Sequence, residues 1–273
     1  MLLETEVAAD ITVPEPIVAQ EASPSIVDAP PPLERPSQPA PPAGVQLTLG
    51  IFGGIAIEYR HEAGGRRLIV DDPGFGGGRG LKGEIFLSDP PRDRMVIATP
   101  FPGAPRAFYY NQKINCLRAE GEVVLDGAVR RFSPDSAFAV LDWGRGVWTY
   151  DNTWYWASAS GLHEGRRFGF NIGHGFGDTS AASENMVFVD GIAHKLGEVT
   201  FHLPNGAHDS GLWRFTSDDG RFEMSFEPIV DRASATNLGI IRSVQHQVFG
   251  RFTGEVAGTP CFREGKVVRL EHF

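Results

Sequence analysis

From Gln46 onward, apolar and polar residues alternate in short runs broken by turn residues, the period-2 signal of half-buried strands. In Arg221–Glu227, the residues Phe222, Met224 and Phe226 share one face, and Val199, Phe201 and Leu203 alternate with Glu198, Thr200 and His202. Asp126-Gly127, Asp190-Gly191 and Asp219-Gly220 separate such runs and suit the positive φ angles of tight hairpin turns, so three hairpins are predicted. A two-residue turn at Asp190-Gly191 sets Val187 opposite His194, with Lys195 on the other face. Further strands are predicted at Met95–Thr99, Ala107–Lys113, Trp154–Ser160, Arg167–Gly173, Glu184–Val189, Gln247–Val256 and Val267–His272. Helical periodicity is weak; Ser133-Pro134-Asp135 resembles a cap that could open one turn of helix over Pro134–Leu141. The pattern predicts an all-β, antiparallel fold.

Residues 1–45 read differently. Half of the 20 prolines precede residue 43, no aromatic occurs before Phe52 and no glycine before Gly44. Such a segment lacks the apolar surface to offset its ordering entropy, so a disordered, acidic, proline-rich arm is expected. It carries seven acids against Arg35 alone, a net −6 of the chain's −9, which leaves −3 for the rest. With no basic stripe to neutralise phosphates, nucleic acid is not an expected partner. No apolar run reaches the ~18 residues of a membrane span. Neither a secretory signal nor a transit peptide is read at the N-terminus, and Cys116 and Cys261 alone do not suggest a disulfide scaffold, so cytoplasm is the expected compartment. The expected division is the arm at 1–45, an N-terminal β region at 46–140 and a C-terminal β domain at 141–273.

Chemically capable residues concentrate between Asp142 and Lys195, where four of the five tryptophans lie. On an alternating strand Trp154 and Trp156 point the same way, forming either a ligand wall or ordinary core. Asp142 and Arg145 flank a glycine-punctuated turn: paired, they would fix the loop; unpaired and buried beside Trp148, Asp142 could act as a general acid. Gly173-His174-Gly175-Phe176-Gly177 lacks the spacing and the following helix of a dinucleotide fingerprint; on a strand its glycines would strip one face of side chains. His174, Asp178 and Glu184 match no metal-ligand spacing, so neither a metal nor a cofactor is expected. There is no G-x-S-x-G, and Cys116 has no context that would activate it. Asp142, Asp178 and Glu184 are the candidate catalytic acids. Arg145, Trp148, Trp154, Trp156, Asn171, His174, Asn185 and His194 are the candidate ligand-binding residues.

The ordered words Asp142–Trp148, Trp154–Trp156, Asn171–Asp178, Glu184-Asn185, Asp190–Lys195, Trp213–Ser217 and His246–Gly250 resemble the domain-of-unknown-function family 2804 from about Phe52 to the C-terminus. The resemblance implies a lipocalin-like barrel or sandwich, or two such barrels in tandem, with fold-level similarity to carotenoid hydratases and tocopherol cyclases, which act on long isoprenoids. Members carry a longer N-terminal β region where this chain has its arm, so the first of two barrels is expected to be incomplete. Three functions follow as expectations. The first is binding of an apolar small molecule, isoprenoid or lipid-like. The second is hydratase, isomerase or cyclase chemistry, with a carboxylic acid and an indole-stabilised cation. The third is an interaction subunit that meets a protein partner through a free strand edge or the arm.

Overall fold

Alternating polarity and tight turns produce a chain of antiparallel strands. The computed structural model describes residues 46–50, 54–88, 93–204, 211–239, 242–257 and 268–270, with the backbone alone for the first and last of these. The acidic arm and Cys261 lie outside the described residues. The elements are β1 Gln46–Gly50, β2 Ala56–Glu62, β3 Gly65–Asp72, α1 Phe75–Gly78, β4 Leu81–Ser88, β5 Met95–Pro100, β6 Phe108–Leu125, β7 Ala128–Phe132, β8 Phe138–Val147, β9 Tyr155–His163, β10 Arg166–His174, β11 Met186–Val189, β12 Ile192–Lys195, β13 Val199–His202, β14 Trp213–Ser217, β15 Phe222–Asn237, β16 Arg242–Val256 and β17 Val268–Leu270. No helix among the described residues is long and apolar enough to cross a membrane.

Two of the predicted hairpins form with both turn residues at positive φ, Asp126-Gly127 between β6 and β7 and Asp190-Gly191 between β11 and β12. The second sets Val187 opposite His194. Glu164-Gly165 makes an equivalent turn between β9 and β10 that composition alone did not flag. At Asp219-Gly220 only the glycine has positive φ. That hairpin is wider, and Asp219 locks it by accepting from Ser217 Oγ and the Arg221 guanidinium. Ser133–Ala137 is a turn closed by Ala137 N–H donating to Ser133 O at 2.8 Å, after which the chain extends into β8 rather than into a helix.

The strands form three sheets: β1-β2-β3-β4-β6-β5 with β7 and β8 also paired to β6, then β12-β11-β10-β9, then β13-β14-β15-β16-β17. β6 organises the first sheet. Its 18 residues bend at Cys116, which has a φ of 60°, and the β8 pairing shifts register between Ile114 and Leu117. Before the bend β6 lies between β5 and β8; past it β4 replaces β5 from Arg118 on, and β7 replaces β8 from Gly121 on. The strand thereby changes both partners instead of curling round, and none of the three sheets closes into a barrel among the described residues. The architecture is an all-β antiparallel sandwich of open sheets, so of the two expected forms the chain takes the sandwich and not the closed barrel. The boundary expected at residue 140 falls inside β8, which pairs with the first sheet.

Sheet two is the middle layer. On its far side Phe168, Phe170, Ile172, Val187 and Val189 pack with Phe215, Phe222, Met224, Phe226 and Phe252 of sheet three. On its near side it meets β6 and β8, where a smaller apolar group of Met95, Cys116 and Phe188 borders a polar one. Beyond the irregularity at Pro228/Val230, β15 and β16 continue as a hairpin paired to no third strand among the described residues.

Candidate functional site

The polar group sits where β6 and β8 face β9 and β10. Strand alternation places Asn111, Lys113 and Asn115 toward sheet two, and directly opposed residues share a face, so Asp142 of β8, opposite Lys113, joins them. From sheet two come Trp156, Ser158 and Ser160 of β9 and Asn171 of β10. Glu184, just before β11, completes the set.

Lys113 is the hub. Its side chain is 3% exposed and its Nζ lies 2.5 Å from Asp142 Oδ2, a side chain 10% exposed. It also lies 3.9 Å from Glu184 Oε2, a side chain 17% exposed. The ammonium stands over the Trp156 ring, 4.7 Å from its centroid. Trp156 Nε1–H donates to Asn171 Oδ1 at 2.7 Å, and Asn171 Nδ2 donates to Glu184 O at 3.0 Å and to Oε2 at 3.1 Å. Asn115 Nδ2 donates to Ser158 Oγ and Phe170 O, each at 2.8 Å, tying the two sheets together. Around this dry ion pair the hydrogen bonding is uneven: Asn171 ties Glu184 to the indole, while Asp142 meets the ammonium through Oδ2 alone.

Burial pushes the Glu184 carboxyl above its ordinary range, and the Lys113 ammonium only partly opposes this. Glu184 reaches its place because Gly173 has no side chain: a Cβ there would overlap Glu184 Oε1. The loop that carries Glu184 is clipped from below by Lys195, whose Nζ donates to Ser183 Oγ at 2.6 Å and to Asn185 O and Leu196 O at 3.1 Å.

Next to this group lies an aromatic cluster centred on Phe176. Its ring centroid is 4.8 Å from that of Trp154, 4.9 Å from Tyr109, 5.2 Å from Phe101 and 6.0 Å from Trp148. Gly175 and Gly177, with φ of 89° and 76°, turn the chain so that Phe176 points back among these rings. The glycine-rich word therefore divides: Gly173 makes room on the strand, and the other two shape a loop beyond its end, rather than all three stripping one strand face. Trp148 is 42% exposed and Phe101 is buried, so the rings form a rim running from the interior to the surface.

Of the residues singled out from sequence, Asp142, Glu184, Asn171 and Trp156 converge, while Trp148 and Trp154 stand in the adjoining rim. The alternative of an Asp142–Arg145 pair is not realised. The two residues face opposite sides of β8, where Asp142 takes Lys113 and Arg145 lies over Tyr110, with its guanidinium 6.0 Å from the ring centroid. Asn185 is a brace, its Oδ1 accepting from Gly173 N–H at 2.8 Å and its Nδ2 donating to Gly197 O at 3.1 Å. His174 lies at the end of β10 near Phe201, at 6.5 Å between ring centroids, and His194 is buried opposite Val187 with its pKa lowered chiefly by desolvation. Asp178 accepts from Ser180 N–H at 3.0 Å, and the Ser180 hydrogen bonds hold its carboxyl below the ordinary range. An open hollow of about 180 Å³ is lined by Asp71, Arg79, Lys82 and Val124 and involves none of these residues.

Sequence reading missed Asn111, Lys113, Asn115 and Tyr109. Their period-2 spacing looks like the solvent face of a strand, and only a second sheet laid over them makes them interior.

The model of the domain of unknown function DUF2804 matches residues 42–270. The chain belongs to this family. Membership spans both the rim and the buried polar group, so DUF2804 takes in every residue of the candidate site. No curated protein and no solved structure matched the chain.

Proposed function

We propose that this DUF2804 protein binds a small apolar molecule against the Phe176 rim, at the mouth of the layer between the first two sheets. The observation that carries this reading is the grouping of four aromatic rings around the Phe176 hub with Trp148 left 42% exposed, beside a buried polar group. Small-molecule sites combine an apolar wall with a few fixed polar groups, and that is the composition here. Native mass spectrometry with lipid extraction tests it. The purified protein should carry an apolar molecule that Trp148→Ala releases, and an empty protein that also fails to take up added apolar probes counts against the reading.

A second reading, acid catalysis, is favoured by Glu184. Its pKa, raised by burial, lets it hold a proton at higher pH than an ordinary carboxyl, and Asn171 aims it. In this reading the indole does not steady a substrate cation, because the Trp156 face already holds the Lys113 ammonium. Glu184→Gln should abolish turnover of a bound alkene and leave its binding intact; unchanged turnover rejects Glu184 as the acid.

A further inference from the structure

Three buried side-chain oxygens in the layer between the first two sheets have no hydrogen-bond partner: Oδ1 of Asn111, Asn115 and Asp142. Orphaned acceptors are rare in native interiors, and three in one layer mark a place built to receive donors. Two of them flank Lys113. Asp142 is opposite it in the ladder, and Asn111 is one step along the same face of β6, opposite Gly144. Gly144 has no side chain because the Tyr109 ring lies there, 2.5 Å from where a Cβ would stand. Tyr109 in turn touches Phe176 and Trp148, at 4.9 and 6.0 Å between ring centroids. The unpaired oxygens therefore begin where the aromatic rim ends, with the Tyr109 ring between them.

The chemistry of the complement follows from what is unpaired. All the orphaned side-chain atoms here are acceptors, so the complement must donate. A carboxylate or phosphate would set acceptor against acceptor and bring a further anion beside Asp142 and Glu184, which already share one ammonium. An amine would place a second cation against Lys113. A neutral hydroxyl meets neither objection. Resting on the apolar-binding reading above, we infer that the ligand is an alcohol, its apolar body on Phe176, Trp148 and Trp154 and its hydroxyl donating its one hydrogen to the unpaired Oδ1 of Asn111, which follows Tyr109 on that face of β6.

The test compares 1-decanol, decyl methyl ether and decanoic acid by tryptophan-fluorescence titration of the full chain. The alcohol should bind about tenfold more tightly than the ether, the effect of one buried hydrogen bond to the Asn111 amide oxygen, and the acid should bind no better than the ether. Asn111→Leu removes an acceptor without leaving a polar group unpaired, so the protein should fold as well as before and lose most of the alcohol's advantage. Equal binding of all three probes, or an advantage that persists in Asn111→Leu, overturns the alcohol assignment while the apolar-binding reading stands. No binding of any probe overturns both.

Discussion

The two faces of β10 make different demands on their neighbours. Phe168, Phe170 and Ile172 meet sheet three, where Phe170 lies edge-on to Phe222 and Phe252 at 5.1 and 4.9 Å between ring centroids. Gly169, Asn171 and Gly173 alternate with them and meet β6, Trp156 and Glu184. The phenylalanine face needs only matched shape, since hydrophobic burial is non-directional. On the asparagine face every group needs a partner of the right kind at the right angle. A single strand thus serves as structural core on one side and as candidate site on the other.

That contrast can be broken at several points. The largest effects come from Lys113→Met and Phe170→Ala, each expected to cost about 3–5 kcal/mol in urea unfolding, the first by orphaning buried carboxylates and the second by opening a cavity. Only the first should be reversible by a partner change: Lys113→Met with Asp142→Leu should recover much of the loss, whereas no neighbouring substitution of that kind refills Phe170. Gly173→Ala comes next, at about 1–3 kcal/mol, because its methyl group displaces Glu184. The penalty should shrink in a Glu184→Ala background, and an undiminished one would place the clash elsewhere.

Glu184→Gln should act more gently and with pH. Burial raises the folded-state pKa of Glu184 above its ordinary 4.5, so the folded chain holds this proton more tightly than the unfolded chain. The stabilisation is full below pH 4.5 and is lost as pH climbs through the raised folded value. Thermal melts of wild type should therefore decline across that window, and those of the glutamine variant should stay flatter; parallel curves would reject the shift. Trp148→Ala should be the smallest change in stability, about 0.5–1 kcal/mol for lost ring contacts at an exposed position, while reducing uptake of apolar probes. A large stability loss there would make the rim core after all.

Much of the local structure was written in residue order. Alternation and Asp-Gly pairs are short-range signals, so the strands around β10, two type I′ turns and the Val187–His194 register followed without knowledge of any distant contact. Asp142, Trp156, Asn171 and Glu184 could be marked as chemically capable for the same reason. Their assembly could not. Lys113, Asn111 and Asn115 have the spacing of a wetted strand face, and Asp142 has Arg145 close by in sequence, yet β8 turns those two charges to opposite sides. Which polar face is covered depends on where a second sheet lands, and that is set by the bend in β6 and by packing between residues tens of positions apart. Sequence alone determined the strands around β10, two of the hairpin turns and the family; tertiary structure decided that three polar residues of β6 are buried, because burial is a property of layers and not of neighbours along the chain.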